Sequence, residues 1–131
     1  MAIGRGGRNF EITVVETSHV GQVCARLNGE LDIDTVVVAR ERIDDLTRDG
    51  RNLVLDLRGL TFIDAYGVYL MFNLANESIE EGWKLSLISG SSVVQRIFEL
   101  TGTRERLPFK VSPESWEPAS ADPPSGRALR R

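Results

Sequence analysis

The part of the chain that most constrains its fold is residues 53–68, LVLDLRGLTFIDAYGV, where an apolar strand passes a glycine turn and leads into a helix beginning at Asp64. The strand is nearly continuous in apolar residues, which is typical of a parallel strand covered on both faces. A helix start just beyond such a strand gathers unpaired amides and the positive end of the helix dipole, so it suits phosphate chemistry or partner docking. The first helical position is Ala65, which has no hydroxyl, and Tyr66 follows it.

Hydrophobic periodicity predicts the other elements of the fold. Alternating apolar residues in 10–14 and 23–27 indicate two antiparallel strands that open the chain. After them we expect a helix from an N-cap at Asp34 to about Arg48, a strand over 52–57, a helix over 65–81, a strand over 84–88, a helix over 91–100 and a short edge strand over 107–111. The predicted fold class is therefore α/β: a small sandwich with a mixed sheet of about five strands, an opening antiparallel hairpin followed by parallel strands, and three helices mainly on one face.

The composition changes at both ends of the chain. Residues 1–9 are rich in Gly and Arg, and residues 112–131 carry four of the five prolines among Ser, Asp and Glu. Such segments cannot bury enough apolar surface to offset their ordering entropy. We expect a domain over 10–111 between a flexible N-terminal segment, 1–9, and a flexible Pro-rich tail, 112–131. Trp116 is the exception in the tail, being either loosely exposed or docked on the domain or a partner.

Charge and targeting signals limit the class of partner. The net charge is −3 and the lysines and arginines are scattered, whereas nucleic-acid binding requires a clustered basic face. No N-terminal apolar segment resembles a signal peptide. We therefore expect a cytoplasmic protein that binds neither nucleic acid nor a membrane.

The residues that could carry catalysis are few. His19 is the only histidine and no Ser lies in a nucleophile elbow, so a Ser-His-Asp site is not expected. Cys24, the only cysteine, lies between Val23 and Ala25 as an apolar filler of a strand. Asp32, Asp34 and Asp64 could hold Mg²⁺, but Asp34 and Asp64 each lie where a helix needs an N-cap. The sequence thus predicts no catalytic residue, no metal site, no cofactor and no enzymatic activity.

The helix over 65–81 carries an unusual group of apolar residues. At about 100° per residue, its inward stripe is expected to consist of Val68, Met71, Phe72, Ala75 and Ile79. Tyr66, Tyr69 and Leu70 then project from the polar side of the first two turns. Large apolar groups left in water often mark a contact surface, so we expect a partner to dock on them, unless the tail or the first loop covers them.

Four segments resemble the signature segments of STAS domains of the anti-sigma factor antagonist type. They are residues 27–32 (LNGELD), 53–58 (LVLDLR), 62–67 (FIDAYG) and 94–102 (VQRIFELTG). The resemblance runs over roughly residues 10–111 in the expected order. It implies a domain that binds an anti-sigma factor with a serine kinase fold and thereby frees a sigma factor.

The resemblance also implies an off switch, in which the partner phosphorylates a Ser or Thr directly after the Asp that begins the second helix. Here that position is Ala65, so no phospho-acceptor is expected; the Tyr66 phenol lies too far from the backbone to replace a serine, and Thr61 is more simply a local hydrogen-bonding group. The resemblance places Asp32 on the partner surface. The expected partner-binding residues are Asp32, Asp64, Ala65, Tyr66, Gly67, Tyr69 and Leu70.

A second interpretation belongs to a different functional class. The chain could be a structural or sensor STAS subunit that self-associates as a homo-oligomer or binds a small lipid or nucleotide. Recovery of a kinase-fold anti-sigma factor with the protein would support the first interpretation. Recovery of only STAS proteins or a small ligand would support the second.

Overall fold

The computed structural model describes residues 9–110 except residues 16 and 18. The predicted flexible segments, apart from Asn9, and Trp116 lie outside this part of the chain, so those predictions and the predicted domain boundaries stay predictions. The strands are β1 (Phe10–Val15), β2 (Gln22–Leu31), β3 (Asn52–Ile63) and β4 (Leu85–Ile88), and the helices are α1 (Val36–Thr47), α2 (Ala65–Glu81) and α3 (Ser92–Leu100), followed by a 3-10 turn, Arg104–Arg106. No helix in the described residues is both long and apolar enough to span a membrane.

The sheet has the predicted mixed topology, with the strand order β1-β2-β3-β4. β1 and β2 are antiparallel, with Phe10 opposite Gly29 and Val15 opposite Cys24. β2 and β3 are parallel, and so are β3 and β4. The parallel neighbours are joined through α1 and α2, as expected when consecutive strands alternate with helices.

The predicted fifth strand is wrong. Among the described residues the sheet has four strands, and the chain after the 3-10 turn contributes one bridge, between Leu87 and Phe109. Leu87 N donates to Pro108 O and Lys110 N donates to Leu87 O, both at 2.9 Å. Pro108 has no N–H of its own to extend the ladder, so the pairing stops at a single bridge.

β3 is longer than the sequence indicated. It continues through Gly59 to Ile63 instead of ending at Leu57, because β2 also continues beside it and pairs Leu31 with Ile63. The pairing of β2 with β3 changes register twice, between Arg26 and Asn28 and between Gly29 and Glu30. The carboxyl ends of β2 and β3 therefore lie side by side, and α1 and α2 begin next to each other.

The two faces of the sheet differ. The core contains Leu27, Leu55 and Leu87 from the strands, and buried side chains of all three helices pack in the same cluster: Ala39 and Ile43 of α1, Met71 and Leu74 of α2, and Val94 and Phe98 of α3. Because side chains of a strand alternate between faces, the neighbouring residues Cys24, Val54 and Ile88 form a separate cluster on the opposite face. Among residues 9–110 as described, the buried side chains of the helices lie in the first cluster, so we call the two faces the helix face and the helix-free face.

Candidate partner-binding site

The turn between β3 and α2 is held by Asp64, which caps the helix as predicted. Asp64 Oδ1 accepts hydrogen bonds from Tyr66 N at 2.9 Å and Gly67 N at 3.2 Å. These amides are among the donors that a helix start leaves unpaired, so the carboxylate stabilises the first turn. Ala65 is exposed at the first helical position.

The neighbouring turn between β2 and α1 is held by Asp32, and the predicted N-cap at Asp34 is wrong. The N-cap residue is Thr35. Asp32 Oδ1 accepts from Asp34 N at 2.9 Å and from Thr35 N at 3.2 Å, while Thr35 Oγ1 donates to Glu30 O at 2.7 Å. The helix begins at Val36, one residue later than an Asp34 cap would require, because the carboxylate that binds the free amides is that of Asp32.

The two turns are linked to each other. Ile33 N donates to Asp64 Oδ2 at 3.3 Å, and Asp64 N donates to Leu31 O at 3.2 Å. Gly67 permits this close approach, since a Cβ at that position would lie 2.6 Å from Ile63 Cγ1 and 3.0 Å from Leu31 O. Gly67 is therefore a buried positioning residue that holds α2 against the ends of β2 and β3.

An apolar groove runs between the first turns of α1 and α2. We call it the α1–α2 groove; its volume is about 430 Å³, and its lining residues are Val36, Val37, Arg40, Glu41, Tyr66, Tyr69, Leu70 and Asn73. Tyr66 and Tyr69 are 52% and 67% exposed, and Val36, Val37 and Leu70 supply the aliphatic walls. Arg40 bonds to Glu77 of α2 and to Asp44 of its own helix, which ties α1 to α2 beside the groove.

Three of the seven predicted partner-binding residues are buried: Gly67, as described above, and Leu70 and Asp32. Leu70 is only 4% exposed and packs in the core, so it forms the floor of the groove instead of an exposed contact. Asp32 is 5% exposed and its carboxylate is engaged by backbone amides. The structure thus brings Asp32, Asp64, Ala65, Tyr66, Gly67 and Tyr69 together at one edge, but Tyr66, Tyr69 and Ala65 are the exposed members.

The sequence analysis missed the contribution of other apolar side chains to this surface. Val37 is 60% exposed in the groove, and Ile33 and Phe62 are exposed beside the two turns. The signal for Val37 was present in the run Val36-Val37-Val38, because three consecutive helical residues span about 200° and cannot all face the core. Ile33 and Phe62 carried no such signal, since a turn and a strand end have no helical period.

The geometry offers no catalytic arrangement at this edge. The Asp32 and Asp64 carboxylates bind backbone amides, and the described residues contain no group of three or more His, Cys, Asp or Glu side chains placed to hold a metal ion. His19 is exposed in the hairpin connection. Cys24 is fully buried on the other face, where burial and the nearby Asp56 raise its pKa to about 12, so its thiol stays protonated at neutral pH.

Comparison with known proteins identifies the fold family. The STAS domain model matches residues 11–115. The chain belongs to the STAS domain family. In this STAS domain the signature segments at residues 27–32 and 62–67 form the two linked turns at the edge of the groove.

Two curated relatives of this STAS domain are named anti-sigma factor antagonists. The anti-sigma-B factor antagonist of Bacillus subtilis (strain 168) is 24% identical over 106 residues, which cover 81% of this chain and 95% of that protein. The anti-sigma F factor antagonist of Paenibacillus polymyxa is 27% identical over 97 residues, which cover 72% of this chain and 79% of the relative. The crystal structure of an anti-sigma factor antagonist from Mycobacterium paratuberculosis has the same fold, with a TM-score of 0.65 at 21% identity over 80% of this chain and 90% of that one.

Proposed function

We propose that this STAS domain is an anti-sigma factor antagonist that acts by binding, without catalysis of its own, and captures an anti-sigma factor with a serine kinase fold on the α1–α2 groove. The observation that carries the proposal is the pair of exposed tyrosines, Tyr66 and Tyr69, which border an apolar groove directly beside the Asp64 turn. Its relatives in Bacillus subtilis and Paenibacillus polymyxa are named anti-sigma factor antagonists.

The chemistry of the groove suits a protein partner. Tyrosines supply large contact area with few rotatable bonds and a polar oxygen at the rim, and they are enriched among residues that dominate binding energy. Tyr66 and Tyr69 are spaced by three residues and therefore lie on one side of α2. The buried floor at Leu70 and the rigid link between the two turns mean that little ordering is needed on binding.

We also propose that binding of the anti-sigma factor is not turned off by phosphorylation at position 65. Ala65 presents a methyl group, which cannot accept phosphate. The nearby Thr61 hydroxyl donates to Gly29 O at 3.2 Å, which supports a local structural role for it. The Tyr66 oxygen lies several Å farther from the backbone than a serine oxygen would, so it does not substitute for one.

The test is binding of a purified, serine-kinase-fold anti-sigma factor from the same cell, measured by calorimetry. We expect the double substitution Tyr66→Ser and Tyr69→Ser to weaken binding at least about 100-fold, because two central aromatic contacts are lost. The melting temperature should change little, since both side chains are mostly in water.

Ile79→Ser is the matched control. Ile79 is an apolar residue of the same helix and is 80% exposed, but it lies nearly three turns beyond Tyr69. Its substitution should leave binding unchanged. Equal affinity of the tyrosine double variant and the parent protein would refute the proposed site.

The volume of the groove supports one second candidate function. About 430 Å³ lies within the range of small-molecule sites, so a structural or sensor subunit that holds a lipid or nucleotide, or self-associates there, is the alternative. Native mass spectrometry of the protein purified from its own cell separates the two. A bound small molecule or a stable homo-oligomer that is lost in the tyrosine double variant would favour the alternative.

A further inference from the structure

The two walls of the α1–α2 groove differ in chemistry. The α2 wall carries two exposed aromatic rings, Tyr66 and Tyr69, whereas the α1 wall carries the carboxylate of Glu41. The floor at Leu70 is apolar and buried. The face of a tyrosine ring attracts a cation, and a carboxylate attracts it as a full opposite charge. The groove therefore combines, within one opening, groups that bind a positively charged side chain.

Glu41 is available to a partner. It is exposed, and within the part of the chain that the structure describes it makes no hydrogen bond or ion pair. The other charged residue of the lining, Arg40, bonds instead to Asp44 of its own helix and to Glu77 of α2. The one cation over a ring among the described residues is Arg106, which lies over a different side chain of α2. The carboxylate and both tyrosine rings of the groove are therefore unoccupied by a cation.

The surface around the groove is acidic. The two helices with their capping turns, residues 32–48 and 64–82, contain nine Asp or Glu and three Arg residues, whereas the other described residues contain six Asp or Glu and eight Lys or Arg. Arg40 and Arg48 pair with carboxylates of the same two helices. Arg42 lies about 200° around α1 from Arg40 and so points away from the groove. The negative charge of the chain is thus concentrated on the helices that form the groove.

The starts of the two helices do not reverse this charge. The positive end of a helix dipole consists of its free amides. At α1 these amides are bound by the Asp32 carboxylate, and at α2 by the Asp64 carboxylate. Each positive helix end next to the groove therefore already has a negative group of its own, and the groove favours a cationic partner.

We infer that an arginine side chain of the anti-sigma factor enters the α1–α2 groove, with its guanidinium group paired to Glu41 and stacked on the rings of Tyr66 and Tyr69. The inference rests on the proposed function, because it names the side chain of the partner that the groove receives. Arginine suits this lining better than lysine does, since its planar guanidinium stacks on aromatic rings, is weakly hydrated and can bond a carboxylate through two N–H groups. Its methylene stem can pack on the apolar floor.

The first experiment measures binding of the purified anti-sigma factor to variants of the full chain by calorimetry. Glu41→Gln removes the charge at nearly constant size and should weaken binding about tenfold, and Glu41→Lys, which places a like charge opposite the arginine, should weaken it at least about 100-fold. The melting temperatures should stay near that of the parent protein, because Glu41 is exposed and unpaired.

Glu80→Gln and Glu80→Lys are the matched controls. Glu80 is an exposed carboxylate of α2 that lies outside the lining of the groove, so these variants change the net charge by the same amounts. At physiological salt a charge beyond the contact is largely screened, and both variants should bind within about threefold of the parent.

A double-mutant cycle identifies the side chain of the partner. Each exposed arginine of the anti-sigma factor is replaced in turn by Gln, and its binding is measured to the parent protein and to Glu41→Gln. We expect one arginine whose loss weakens binding to the parent at least about tenfold but weakens binding to Glu41→Gln several-fold less, because its charge partner is already absent there. Replacing the same arginine with Lys should recover only part of the affinity.

The results distinguish this inference from the proposed function. If the tyrosine double variant loses binding but Glu41→Lys binds as tightly as the parent, or if no arginine of the partner is coupled to Glu41, the inference is overturned and the proposed docking site stands. If the tyrosine double variant binds as tightly as the parent, both are overturned. Weakening by the Glu80 variants equal to that by the Glu41 variants would indicate a general effect of net charge and would also overturn the inference.

Discussion

Replacing Ala65 with Ser is expected to convert the protein from a chain that takes no phosphate into one that takes one phosphate from its kinase-fold partner. Ala65 is exposed at the first helical position, so a serine there would present its hydroxyl beside the groove on which we propose the partner docks. The measurement is incubation with the purified partner and ATP, followed by intact mass spectrometry. The modified variant should also bind at least about tenfold more weakly, because about two negative charges would be added beside Asp64.

The matched control for this experiment is Asn76→Ser, which places a hydroxyl on the same exposed side of α2, about two turns beyond Tyr69 and outside the lining of the groove. It should remain unmodified. Phosphate on the parent protein, or on the control as readily as on the Ala65→Ser chain, would contradict the proposed docking geometry. Phosphate on Ala65→Ser alone would show that the geometry is retained and only the acceptor is absent.

Replacing Asp56 with Ala should lower the free energy of unfolding by about 3 kcal/mol, the low end for breaking a buried charge cluster, since both arginine partners keep contact with water. Asp56 is 1% exposed, and its carboxylate accepts hydrogen bonds from Arg58 N, Arg58 Nε and Arg26 Nε at 2.9–3.0 Å. Urea denaturation at pH 7 measures the loss. Asp45→Ala is the control: Asp45 pairs with Arg48 at 2.6 Å on the surface, so its loss should cost less than about 0.5 kcal/mol.

We also expect the contribution of Asp56 to the free energy of unfolding to depend on pH. Burial tends to raise the pKa of Asp56, but the hydrogen bonds from Arg58 and Arg26 outweigh it and hold the pKa below its usual value of 3.8. A group whose pKa is lowered on folding stabilises the protein above its unfolded pKa and loses that contribution as the pH falls through its folded pKa. The difference in stability between the parent and Asp56→Asn should therefore shrink below about pH 4. A difference that stays constant or grows on acidification would contradict this assignment.

Local patterns account for what the sequence predicted well. The Asp64 cap follows from an acidic residue at the end of an apolar strand, followed by helix-forming residues, and such a signal is complete within a few residues. The antiparallel hairpin and the parallel strands follow from alternation and from the rhythm of strands and helices. The motif segments near Asp32 and Asp64 indicated the family, which the match over residues 11–115 confirms.

The predictions were wrong where several local structures fit the sequence equally well and tertiary packing determines which one forms. The inward stripe of α2 is rotated from the prediction: Leu70 and Leu74 are buried, whereas Ile79 is 80% exposed. Several rotations of this apolar helix give an acceptable stripe, and the close contact at Gly67 selects one of them. In the same way, the sequence predicted Asp34 as the N-cap of α1, whereas the N-cap residue is Thr35 and the Asp32 carboxylate binds the amides before the helix.

The position of the groove could not be predicted either. It needs the first turns of α1 and α2 to lie side by side, which depends on β2 and β3 ending together. That pairing joins residues about thirty positions apart in sequence and leaves no periodic signal in either segment. The exposed tyrosines were visible from the sequence, but their neighbours Val36 and Val37 became part of the site only through the fold.

Hydroxyl-radical footprinting of the complex with the anti-sigma factor tests the central claim most directly, because it locates the covered surface without changing the protein. Side chains that the partner covers lose labelling, and mass spectrometry quantifies each one. We expect Tyr66 and Tyr69 to be protected at least about fivefold on binding, since covered hot-spot aromatics are desolvated, while the exposed Ile79 and Leu100 label as in the free protein. Unchanged labelling of both tyrosines in a complex that is fully formed would contradict the account.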